Sequence, residues 1–236
     1  MQSICKSDRG LSRVFSDQTW LTKLIWAALL IAAADALWNG QLSLLFIALA
    51  TLSLSLAPVF VARWARIHVP ATFMLAVVAF VGGTLFLGEV YGFYVRFWWW
   101  DILMHFGSAM GFGLIGFVIV FMLFQGDRFA APHWVLAFFA FCFAMMIGAI
   151  WEIFEFAMDQ IFGMNMQKSG LVDTMTDLIV DMIGALIASL AGWLYLKGIS
   201  APGVHRLIDE FIERNPRYFK RFKQIDVTRV RRDDAD

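Results

Sequence analysis

Charge is what this chain has least of. Asp, Glu, Lys and Arg together make up 16% of its 236 residues, against ~25% in a typical soluble domain. That deficit argues against a water-soluble globular protein. Two cysteines are present, Cys5 in a polar segment and Cys142 inside an apolar run, so no disulfide framework is expected. Only four histidines occur, and only one stands among acids, which excludes a His-rich zinc site. No small-residue cleavage site follows the first apolar run, which is expected to be a retained helix rather than a signal peptide. No internal repeat is evident, unlike many secondary transporters.

What the chain has instead is apolar length. Hydrophobic residues make up 60% of it, and its mean hydropathy is +0.69. A spanning helix needs ~20 mostly apolar residues. Six candidates meet that length, at about 20–38, 41–62, 69–90, 101–124, 134–158 and 173–197, the first two joined by a tight Asn39-Gly40 hairpin. The expected fold is all-α, a polytopic membrane bundle of six transmembrane helices at 20–197. A cytoplasmic N-terminal tail (1–19) precedes it and a cytoplasmic tail (198–236) follows it.

Lys and Arg set the orientation. With both termini inside, seventeen of the 19 basic residues fall on the cytoplasmic side, leaving Arg96 and Lys168 outside. The expected topology is therefore N-in and C-in, and the expected location is the bacterial inner membrane. The tail carries an amphipathic stripe, Leu207, Ile208, Phe211 and Ile212, followed by the basic and aromatic run RYFKRFK. An interfacial segment on anionic lipid fits that pattern better than nucleic-acid binding. A solvated tail that only fixes topology fits it as well.

Acids run the other way. Asp35, Glu89, Asp101, Glu152, Glu155, Asp159, Asp173, Asp177 and Asp181 all fall in the outer half. Asp101 and His105 are i, i+4 on the fourth span; Glu152 and Glu155 are i, i+3 on the fifth. Asp173, Asp177 and Asp181 form a column at i, i+4, i+8 on the sixth. At ~1.5 Å per residue, Asp181 lies ~12 Å below Asp173 and Glu152 ~10 Å below Asp159. The depths match, so Asp101, His105, Glu152, Glu155, Asp177 and Asp181 are expected to converge in one outward-opening pocket, with Asp35 and Glu89 at its rim. Small-residue stripes, Gly107-x-x-x-Gly111, Ala109-x-x-x-Gly113 and Gly184-x-x-x-Ala188-x-x-x-Gly192, are expected to let the fourth and sixth spans approach.

A carboxylate at mid-bilayer costs at least ~2.5 kcal/mol even on the lenient insertion scale. Crowded acids take up protons or recruit a cation. The same six residues are therefore the candidate ligands of a divalent metal, with Mg, Mn, Ca, Fe and Zn all compatible. In bundles, Glu and Glu-x-x-His on facing helices hold two metals. Intramembrane acids that merely hydrogen-bond between helices, or pair with Arg96 and Lys168, are the structural alternative; six at matched depth favour a site.

The run D-I-L-M-H (101–105), W-E-I-F-E (151–155) and D-T-M-T-D-L-I-V-D-M-I-G-A (173–185) is similar to the YjdF-type bacterial inner-membrane proteins and, more distantly, resembles VanZ-like proteins. The matching positions are Asp101, His105, Glu152, Asp177, Asp181, Gly184 and Ala185, with Asp181 where VanZ-like chains often have Asn. The resemblance covers roughly residues 90–197. It implies a multi-span inner-membrane protein, and the VanZ-like link to glycopeptide resistance points toward the outer leaflet and cell wall.

Three functions compete. In the first, a cation in the pocket engages a lipid phosphate or lipid-linked envelope precursor, with His105 and Glu152 as candidate acid and base and membrane lipids as partners. In the second, the acids serve proton- or cation-coupled transport, although no polar step continues into the inner halves of the spans. In the third, the pocket is a satisfied polar core in a partner subunit. The sequence does not choose between enzyme and binder, nor name a protein partner.

Overall fold

The structure is a computed structural model that describes residues 16–124, 131–199 and 203–219. Cys5, the basic residues Lys6, Arg9, Arg13 and Arg128, and the basic tail from Lys220 onward lie outside the described residues, so the two tails are described only in part. All described regular structure is helical, and six helices are long and apolar enough to cross a membrane. The chain divides into two compact units, residues 1–92 and 93–236.

The first unit holds α1 (Trp20–Trp38), α2 (Leu42–Ala65) and α3 (Ala71–Val81), which continues as a π-helical segment, Gly82–Val90. Thr19 caps α1, its hydroxyl accepting the Thr22 N–H at 3.2 Å. The α1–α2 turn uses Gly40 at φ +66°, a conformation open to glycine at little cost. Asn39 Nδ2 closes the turn on Asp35 Oδ1 at 3.0 Å. Trp26, Val59, Met74 and Val78 form the core. The buried indole of Trp26 donates to Ser55 Oγ at 3.0 Å, which satisfies a polar group that lipid would leave unpaired. Asp35 and Glu89, expected at the rim of the acidic pocket, belong to this unit, and both are exposed.

The second unit holds a short α4 (Phe93–Arg96), the long helices α5 (Trp100–Phe124), α6 (His133–Phe162) and α7 (Leu171–Leu196), and α8 (Val204–Arg214). α5, α6 and α7 pack on one another in all three pairings. Lipid offers no hydrophobic drive for helices to associate, so close backbone approach does the work. Gly184 lies under the backbone of Phe106 and the Ala109 methyl, Gly113 under Ala188, Gly192 under Phe117 and Gly116 under Phe143. Two of the three expected stripes thus form the α5–α7 contact. The third does not: a Cβ on Gly107 or Gly111 would meet nothing within 4 Å, because these residues face away from α7.

α8 departs from both readings of the tail. Ile208 and Ile212 are buried, and with Phe219 they join Phe117, Phe121, Leu136, Ala140 and Tyr195 in one cluster. Tyr195 Oη donates to Asp209 Oδ1 at 2.7 Å. The apolar stripe finds aromatic side chains at the end of the bundle, and that contact displaces lipid or water from it.

Two outcomes test this packing. Gly184→Val should cost about 1–3 kcal/mol by overpacking, read as a lowered Tm in detergent, while Gly111→Val should leave Tm near wild type; equal effects would contradict the assignment of faces. Ile208→Asp should free α8 and speed tryptic cleavage at Arg206 and Arg214 by about tenfold or more, against unchanged cleavage if the helix is not docked.

Candidate intramembrane metal site

α5, α6 and α7 each contribute to one polar cluster. The His105 imidazole, 7% exposed, lies at its centre. Its Nε2 faces Asp101 Oδ1 at 4.0 Å, Glu152 Oε1 at 3.8 Å and Asp177 Oδ2 at 3.8 Å. Its Nδ1 faces Asp181 Oδ1 at 3.4 Å on the opposite side. Glu152, Asp177 and Asp181 are buried to 4%, 3% and 1% exposure. One imidazole thus separates a single deep carboxylate from three outer ones.

Neither oxygen of Glu152 accepts a hydrogen bond, and neither does either oxygen of Asp181. Nearby, Thr174 Oγ1 accepts from Gln167 Nε2 at 2.6 Å. Buried polar groups are nearly always paired; the side chain that both carboxylates face is His105, at 3.8 Å from Glu152 and 3.4 Å from Asp181. Asp101, Glu152, Asp173, Asp177 and Asp181 are five carboxylates. Even with His105 protonated and Lys168 counted, the formal charge stays at minus three.

Among the described residues, the side chains whose ligand atoms lie within 4.8 Å of one another form two sets, His105–Glu152–Asp177 and Asp101–Asp173–Asp177. Of the six expected ligands, His105, Glu152, Asp177 and Asp101 fall in these sets, and Asp181 stands against Nδ1. Glu155 makes another contact: it is half-buried, and its Oε1 accepts from Trp151 Nε1 of its own helix at 2.9 Å. Asp159 ties down the loop after α6, accepting the N–H groups of Met166 at 2.7 Å and Gln167 at 2.9 Å.

Three further residues belong to the site. Asp173 completes the outer set, and its place four residues before Asp177 was the signal for it. Lys168 Nζ pairs with Asp101 Oδ2 at 2.6 Å. Gly148, one turn before Glu152 on α6, faces Asp181: a Cβ there would fall on the Asp181 carboxylate. The missing side chain is the space the acid occupies.

Six apolar helices, three of them enclosing an acid-rich cluster, define a multi-pass membrane protein. The chain belongs to the family described as "Predicted membrane protein (DUF2238)", which matches residues 18–198. It is also similar to an uncharacterized protein of Thermotoga maritima, 35% identical over 104 residues, covering 42% of this chain and 50% of the relative. The chain thus spans about half the length of the curated relative it matches. No solved structure matches.

Gly148→Ala is expected to push Asp181 off His105 and to cost about 1–3 kcal/mol. In the Gly148→Ala/Asp181→Ala double variant most of that loss should return, because the clashing carboxylate is gone. Additive losses of Tm would show that Gly148 does not make the space for Asp181.

Proposed function

We propose that this protein holds a divalent cation in the outer half of the bacterial inner membrane and uses it to bind a phosphate group of a lipid or lipid-linked envelope precursor. The observation that carries the reading is the pair of buried carboxylates, Glu152 and Asp181, that accept no hydrogen bond beside an imidazole and further acids. His105 Nε2, Glu152 and Asp177 are the inner ligands. Asp181 faces Nδ1 at 3.4 Å; with a cation on Nε2 it would draw in the Nδ1–H and fix the imidazole tautomer, the role that a carboxylate behind a ligating His takes in metal sites. A mixed nitrogen and oxygen set suits Mn2+ or Fe2+ more than Ca2+ or Mg2+.

With three protein ligands, the cation keeps positions for outside oxygens, and phosphate oxygens are the hard anionic donors available at a leaflet surface. The bound cation would polarise such a phosphate. His105 and Glu152, the candidate acid and base, serve as ligands in this arrangement, which favours a binder over a catalyst. With the N-in orientation that the Lys and Arg distribution favours, the opening would face the outer side, as the VanZ-like resemblance implies. Coupled transport is less favoured: beyond Asp181, α5 and α7 close on each other through Gly184, Ala109, Gly113 and Ala188, with no further acid on the way.

Mn2+ titration of the detergent-purified protein tests this. Wild type should take up about one Mn2+ tightly; His105→Ala and Asp177→Asn should weaken it by about 100-fold or more, and Asp181→Asn by about 10–100-fold. Short-chain phosphatidate should bind only with Mn2+ present. A wild type that binds no cation, or a His105→Ala variant with undiminished affinity, would overturn the proposal.

A further inference from the structure

We infer that Lys168 is a tethered cation paired with Asp101 at the edge of a second, outer cation subsite formed by Asp101, Asp173 and Asp177, and that its release admits a second divalent ion beside the first. The inference rests on the cation reading above and extends it.

Asp177 belongs to both ligand sets, so ions in the two would share one carboxylate. Bridged ions in two-metal sites stand ~3.5–4 Å apart and clamp a phosphate between them. The chain itself brings a cation to this outer set: Lys168 Nζ lies 2.6 Å from Asp101 Oδ2. The ammonium supplies one charge where a divalent ion would supply two.

The attachment of Lys168 suits exchange. Its loop runs between Gly163 at φ +64° and Gly170 at φ +65°. Asp159 fixes the loop backbone at Met166 and Gln167, which leaves the four-carbon side chain as the moving part. The ammonium, while paired with Asp101, also lies 4.7 Å from the centroid of the Tyr94 ring, within cation–π distance. The side chain is 36% exposed, so displacement needs no unfolding.

The second observation is independent of the outer acids. Glu152, 4% exposed, has both oxygens without a hydrogen bond in the set that shares Asp177. The single charge of Lys168 therefore leaves the cluster uncompensated, and a divalent ion in its place lowers the repulsion across the shared carboxylate.

The test is Mn2+ binding to the full chain in detergent, followed by electron paramagnetic resonance. Wild type is expected to hold about one ion and Lys168→Met about two, with the spin–spin broadening of neighbouring Mn2+ ions. Lys168→Met/Asp173→Asn should return to about one, and Lys168→Arg, which keeps the charge, should stay there. One ion in Lys168→Met with wild-type affinity, or two without broadening, would overturn the Lys168 assignment and leave the inner site standing. No ion in any variant would overturn the inner-site reading and this one together.

Discussion

Like charges forced together out of water govern this fold. Glu152, Asp177 and Asp181 are buried around one imidazole, with Asp101 and Asp173 just outside. In a medium of low effective dielectric constant, each pair of carboxylates repels strongly and each unpaired one loses its hydration. The arrangement persists only if positive charge or protons are shared among the acids. The features of the second unit around the cluster can be related to that demand.

The helices must come close enough for side chains from three of them to meet one ring. Glycines and alanines at Ala109, Gly113, Gly184, Ala188 and Gly192 permit this between α5 and α7. Gly148 makes room for the deepest acid on α6. At the outer edge Lys168 supplies a charge to Asp101, and Asp159 holds the loop that carries it. At the other end, α8 and Phe219 close the bundle with an apolar cluster and the Tyr195–Asp209 hydrogen bond. That end is built by ordinary burial, whereas the charged end draws on electrostatics.

Much of this was legible in the sequence because the signals were periodic. Six apolar runs gave six helices, most with ends within a few residues. The i, i+4 pairs Asp101–His105 and Asp177–Asp181 fixed which faces turned inward, so the cluster around His105 was anticipated. Less legible were features set by contacts between distant residues. Nothing in the run containing Gly148 distinguishes a glycine that receives a carboxylate from one that packs a helix, and Gly107 and Gly111 read like a contact stripe yet face open space. Glu155 shares the helix of Glu152, but an indole one turn earlier takes its carboxylate. The stripe of α8 was plain, although its partner was not: amphipathicity shows that a face will be covered, not whether lipid or protein covers it.

The central claim is that His105 and its acids coordinate a cation. The most direct measurement is pulsed electron paramagnetic resonance of the Mn2+-loaded protein, which detects nitrogen bound to the metal. The account predicts one imidazole nitrogen coupled to Mn2+, retained in Lys168→Met and lost in His105→Ala. Bound Mn2+ with oxygen ligands alone would contradict it and place the ion away from the buried ring.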